Sequence, residues 1–162
     1  MHAQPHTRDS WKAQLDVAPV LWPQIAPRRP DRGVVFTRRD GAMRPFAWNP
    51  LTGDLRPLLP DDVPCGYGLL SPDGGWFTFF RDTGGNERGQ VVRVSLEDGR
   101  IEPLTPGAPD AASSTTPFPL PVLTQSATGN RIAFVVSDPN GFHLRAVDVA
   151  ADGALGEART LL

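Results

Sequence analysis

A chain of 162 residues, 40% hydrophobic and 21% charged, is long enough for one core and too apolar to stay disordered. Its 16 basic and 18 acidic residues leave a formal charge of −2 scattered along the chain, without the clustered Lys and Arg of a nucleic-acid surface. The one cysteine, Cys65, excludes an internal disulfide, and no run approaches the roughly 20 apolar residues of a membrane-spanning helix. Nucleic acid and membrane are therefore not expected partners, and with no apolar leader at the N-terminus the expected location is cytoplasmic.

Residues 1–30 read as an N-terminal extension. Trp11 and Leu15 stand four apart, enough for one or two helical turns before Pro19, Pro23, Pro27 and Pro30 forbid a longer helix. Trp22 and Ile25 are expected to pack onto the first strands beyond residue 30. His2 and His6 flank Pro5 and have no carboxylate partner, so they read as a frayed terminus and not as a metal pair.

From residue 31 one pattern recurs three times, over about 31–60, 66–105 and 122–162. Its fullest copy opens with the turn Ser71-Pro72-Asp73-Gly74, in which proline presets φ and glycine accepts a positive one. Trp76–Phe80 is then an aromatic-rich strand, Arg81–Glu87 a polar break, and Gln90–Leu96 a second strand with Val92, Val94 and Leu96 alternating on one face. Glu97-Asp98-Gly99 closes a hairpin and Arg100–Leu104 returns. Upstream, Val34-Val35-Phe36 stands for Phe77-Thr78-Phe79, followed by Arg39-Asp40-Gly41, Phe46-Ala47-Trp48 and the hairpin Leu51–Leu55. Downstream, Ser126–Gly129, Ile132-Ala133-Phe134, Asp138–Gly141, Leu144–Val149 and Asp152–Leu155 fill the same places.

Gly53 and Gly99 are 46 residues apart and Gly99 and Gly153 are 54, with Pro106–Pro121 as a Pro-, Ala-, Ser- and Thr-rich insertion in the longer interval. Short strands recurring at such a period predict the four-stranded blades of a β-propeller. The expected fold is therefore all-β: a partial β-propeller of about three four-stranded antiparallel blades after a short irregular or helical N-terminal segment. Phe77, Phe79, Val34, Phe36, Ile132 and Phe134 are expected between blades, and Trp76 and Trp48 on blade-to-blade faces.

The chain carries no nucleophile elbow, zinc-protease motif, phosphate loop or dinucleotide fingerprint. His143, on the second strand of the third copy, reads as a strand residue, and Cys65 as buried packing, because nothing near it in sequence would lower its pKa. No cofactor and no catalytic residue are expected within these residues.

The run Tyr67–Trp76 followed by Phe80–Glu87 resembles the N-terminal propeller of the prolyl oligopeptidase family, in particular its acylaminoacyl-peptidase-like branch, with TolB-type propellers sharing the turn and strand. The resemblance spans roughly residues 20–162. It implies a serine peptidase in which a propeller of about seven blades covers an α/β-hydrolase domain and restricts access to short peptides, the triad lying in that hydrolase domain and not in these residues. The implied partners are that domain or the remaining blades, and peptides. In the wider family acidic propeller residues bind a substrate's free amino terminus, which makes Asp82 and Glu87, on the polar break, the candidate substrate-binding residues. The competing reading is a TolB- or WD-like protein-binding module with no enzymatic parent. A third is a sugar- or metal-binding propeller enzyme. Three blades fall short of the four a closed ring needs, so the chain reads as part of a larger enzyme, as one that pairs with itself or another chain through open blade edges, or as a degenerate remnant.

Overall fold

The computed structural model describes residues 19–83, 88–107, 111–113 and 123–162, so Trp11, Leu15, His2, His6, Glu87 and most of the 106–121 insertion lie outside the described residues. Those described form thirteen strands and no helix. The first blade is β1 (Val20–Ala26), β2 (Arg29–Arg39), β3 (Ala42–Trp48) and β4 (Leu55–Pro57), hydrogen-bonded in that order. The second is β5 (Gly68–Leu70), β6 (Trp76–Asp82), β7 (Arg88–Ser95) and β8 (Ile101–Pro103). A short strand, β9 (Ala111–Ser113), comes next, and the third blade is β10 (Leu123–Gln125), β11 (Arg131–Asp138), β12 (Gly141–Asp148) and β13 (Arg159–Thr160). All pairings are antiparallel. The chain is thus a partial β-propeller whose innermost strands β1, β5 and β10 lie side by side.

The recurring turns are built from the same atoms. In the second blade the Ser71 carbonyl accepts the Gly74 N–H at 2.9 Å, Ser71 N–H bonds Trp76 O at 2.8 Å, and Ser71 Oγ accepts the Trp76 N–H at 2.9 Å. In the third, Ser126 makes the same bonds to Gly129 and Arg131. Gly74 and Gly129 have φ of 69° and 72°, and each sits against the preceding blade. A Cβ on Gly74 would meet Arg32 Cβ at 2.7 Å, and one on Gly129 would meet Pro72 Cδ at 2.9 Å. The serine and glycine are therefore required both by the local turn and by close stacking.

Side chains alternate between the face turned to the next blade, here forward, and the face turned to the previous one, backward. The second blade is buried on both. Backward, Leu70, Phe77, Phe79, Val92, Val94 and Leu96 meet Val34 and Phe36; forward, Val91 and Leu104 join Ile132, Phe134, Val136 and Val147. All six residues expected between blades are buried there. Trp76 also faces a neighbouring blade, with its Nε1 3.4 Å from where a Cβ on Gly153 would stand.

Four details differ from the sequence reading. Val20–Ala26, expected in the extension, is the innermost strand of the first blade. Prolines forbid a helix there but not an edge strand. The register shifts between Leu21 and Gln24, around Pro23, and Trp22 takes φ of 48°, setting its ring edge-on to Phe36 at 5.5 Å. Next, β9 forms inside the insertion and pairs with Arg88 and Gly89 on one side and Val136 and Ser137 on the other, joining the second and third blades into one nine-stranded sheet. The first copy is also offset by one residue. Asn49 occupies the hairpin position of Ser95, so Val34 and Phe36 correspond to Thr78 and Phe80 and point forward. By the same alternation Trp48 lies on the backward face, over Gly33, whose Cβ would meet Trp48 Cε3 at 3.0 Å. It therefore does not face the second blade.

Candidate functional site

Asp82, the candidate acid on the polar break, ends β6 opposite Gly89 at the end of the sheet away from the Ser-Pro-Asp-Gly turn. It is half-buried and lines two clefts at the seam of the first and second blades. One, of about 610 Å³, is also lined by Arg44, Asp61, Asp62 and Cys65; the other, of about 530 Å³, by Asp62, Arg81, Thr83 and Gln90. Asp61 and Asp62 follow β4 and bring further carboxylates beside Asp82. Arg44, at the end of β3 facing this loop, donates from Nη1 to the Asp61 carbonyl at 2.6 Å and lies 3.7 Å from its carboxylate. Most of the seam's acidity therefore points to solvent, with one arginine holding the loop in place.

Sequence reasoning missed Asp61 and Asp62. They lie between copies of the repeat, some 20 residues before Asp82, and only the packing of the first blade on the second brings them to the larger of its clefts. Glu87, the other candidate, lies outside the described residues. Among the described residues, no group of three His, Cys, Asp or Glu side chains could hold a metal ion.

The same seam holds Cys65, whose thiol is pushed up to about 12 by burial and donates to the Tyr67 carbonyl at 3.7 Å. At neutral pH it is a packed thiol and not a nucleophile. His143 sits on β12 opposite Val136, facing the second blade.

On the opposite end of the sheets a cleft of about 320 Å³ opens between the second and third blades, lined by Arg28, Asp73, Trp76, Arg93, Asn130 and Ala151, among others. Its polar groups serve the fold. Desolvation raises the Asp73 carboxyl, but the Ser71 hydroxyl and the Gly75 N–H outweigh it and leave the pKa below its ordinary value. Asn130 Oδ1 accepts from the Ser126 and Thr128 hydroxyls at 2.7 Å each, and Arg28 donates to the Thr128 carbonyl at 3.1 Å. Arg93, only 3% exposed, stacks 4.0 Å over Trp76, is paired with Glu102, and donates to the Gly153 carbonyl of the third blade at 2.6 Å. These are joints between blades.

No protein-family model and no curated protein sequence matches the chain. Solved structures do. A candidate TolB of Agrobacterium tumefaciens is similar at 21% identity and a TM-score of 0.58, over 89% of this chain and 49% of that one. An oligogalacturonate lyase in complex with manganese is similar at 13% identity and 0.58, over 86% and 38%. A prolyl endopeptidase is similar at 11% identity and 0.60, over 88% and 22%. The chain spans half or less of the length of each, and at these identities the likeness is one of fold. Three antiparallel blades stacked through apolar faces, with this likeness, make the chain part of a β-propeller of the kind found in TolB and in prolyl endopeptidases.

Proposed function

We propose that the chain is the non-catalytic propeller portion of a serine peptidase of the prolyl oligopeptidase family, of the acylaminoacyl-peptidase-like branch, and gates peptide access to an α/β-hydrolase domain outside these residues. The observation that carries this reading is the acidic seam. Asp82 lines one cleft with Asp61 and Asp62 and a second with Asp62, beside Arg44 and Arg81, and a carboxylate there would hold a peptide's ammonium group by charge-assisted hydrogen bonds. Glu87 follows five residues after Asp82 on the same polar break and adds a fourth acid in sequence. The similar prolyl endopeptidase, described for the role of inter-domain dynamics in catalysis and specificity, supports a propeller that works with a second domain.

The test is to isolate the native protein from its source and treat it with a fluorophosphonate that labels activated serines. A labelled hydrolase in the same polypeptide or in a complex with it is the expected result. Asp82→Asn and Glu87→Gln should then raise KM for free-amine peptides and leave blocked peptides unchanged. A chain that carries no labelled serine hydrolase but retains a protein ligand would overturn the peptidase reading in favour of a TolB-like binding module, the second reading, which the likeness to TolB favours.

A further inference from the structure

Two large aromatic rings stand exposed where the adjoining blades are described. Trp22, on β1, is 54% exposed, and Tyr67, immediately before β5, is 46% exposed. The exposure of Val20 and Ile25 has another cause, since both point backward from the first blade, where no neighbour is described. Trp22 instead meets Phe36 edge-on, which turns its ring forward, toward the second blade. Tyr67 belongs to the blade that is covered on both faces. A further blade would therefore cover neither ring.

The backbone is bent to hold Trp22 there. Among the described residues, only Trp22 and Asp40 take a positive φ without being glycine. Asp40 does so at the tip of the β2–β3 hairpin, where a short polar side chain tolerates it, whereas a bulky residue at φ of 48° is strained. Strain of this kind collects at ligand sites and persists only where surrounding contacts enforce it. Gln24 supplies such contacts: its side chain donates to the Gly68 carbonyl and accepts the Leu70 N–H, both at 2.8 Å, and fixes β1 against β5. Trp22 precedes Gln24 by two residues and Tyr67 precedes Gly68 by one, so both rings lie toward the same end of adjacent innermost strands. That end carries the acidic seam. Cys65 and Gly66, the two residues before Tyr67, line the larger cleft with Asp82, and Cys65 Sγ donates to the Tyr67 carbonyl.

We propose that Trp22 and Tyr67 form an apolar wall beside the acidic seam, on the side of the central channel, and that it takes the aromatic first side chain of a peptide whose free amino terminus is held at the seam. The inference rests on the reading of that seam as a holder of peptide ammonium groups. In an amino-terminal residue the ammonium group and the side chain leave the same carbon, so a carboxylate and a ring surface side by side match both. Ring-on-ring contact then favours an aromatic side chain over a methyl group.

The experiment is isothermal titration calorimetry of the native protein, any reactive serine blocked with the fluorophosphonate, against the tripeptides Phe-Ala-Ala and Ala-Ala-Ala. Phe-Ala-Ala is expected to bind about tenfold more tightly. Trp22→Ala and Tyr67→Ala should each bring the two affinities within about threefold of one another, with Ala-Ala-Ala binding as before and circular dichroism unchanged. Should Trp22→Ala not fold, Trp22→Asn, which tolerates the left-handed backbone, makes the same test. Equal affinities in the unaltered protein, a preference indifferent to both substitutions, or loss of both peptides together would overturn the proposal. Acetylating the amino terminus tests the seam separately: it should weaken Phe-Ala-Ala, and a Trp22-dependent preference that survives it undiminished would remove the seam's role and leave the wall. A labelled hydrolase without the aromatic preference would leave the peptidase reading standing and this inference overturned.

Discussion

Gly89 lies opposite Asp82 at the start of β7, and a Cβ there would come within 1.9 Å of the Arg81 carbonyl oxygen, a backbone atom that cannot move aside without distorting β6. Its role is close approach and not a special φ. Gly89→Ala is expected to lower stability by about 2 to 3 kcal/mol, read as a shift of the urea midpoint at unchanged m-value. Cys65 is expected to react with a disulfide reagent at pH 8 far more slowly than a free thiol, because burial pushes its pKa up to about 12 and leaves little thiolate in the native state. Rapid labelling without denaturant would contradict the placement of that loop against the core.

Within single blades, the sheet faces decide how much a residue contributes. Phe79 is fully buried, stacks with Phe77 at 6.1 Å between ring centroids, and belongs to the apolar layer shared with the first blade. Phe79→Ala is expected to cost about 3 to 5 kcal/mol in chemical denaturation. On the third blade Asp148 receives Arg131 at 2.6 Å and Arg159 at 2.5 Å, and the Arg131 hydrogen bond holds its carboxyl below the usual range. A folded-state pKa below the unfolded one of about 3.9 means the stabilisation is full above that value and fades as pH falls through the lower folded one. Asp148→Asn should therefore lower the thermal midpoint slightly at pH 7, and the difference should shrink as pH falls below the unfolded-state value. Since the group is exposed, raising the salt concentration should shrink the difference at pH 7.

The three blades are not equivalent in the whole molecule. The second is covered on both faces, whereas the first and third each have one described neighbour. Native-state hydrogen exchange is expected to be slowest at β6 and β7 and fastest at β1 and β13. Slowest exchange in the third blade would mean that the apolar layer around Ile132 and Phe134, rather than the one around Phe77 and Phe79, is the stable centre.

The repeat itself was legible from residues because its turns are local. Ser71 and Ser126 hold their glycines through hydrogen bonds within five residues, and Gly53, Gly99 and Gly153 close hairpins at positive φ, a geometry that the neighbouring residue types already call for. Period-two alternation likewise marked Phe77 and Phe79 as core and put Val92, Val94 and Leu96 on one face. It could not tell which neighbour each face meets, because a one-residue offset reverses every side chain and only pairing across the sheet sets the register, as Val34 and Trp48 show. The strand at Val20–Ala26, hidden by its prolines, and the bridging β9 both form because a partner edge is present, which no local signal records. The acidic seam obeys the same rule: Asp82 could be singled out from its own loop, but Asp61 and Asp62 reach it only through the stacking of one blade on the next.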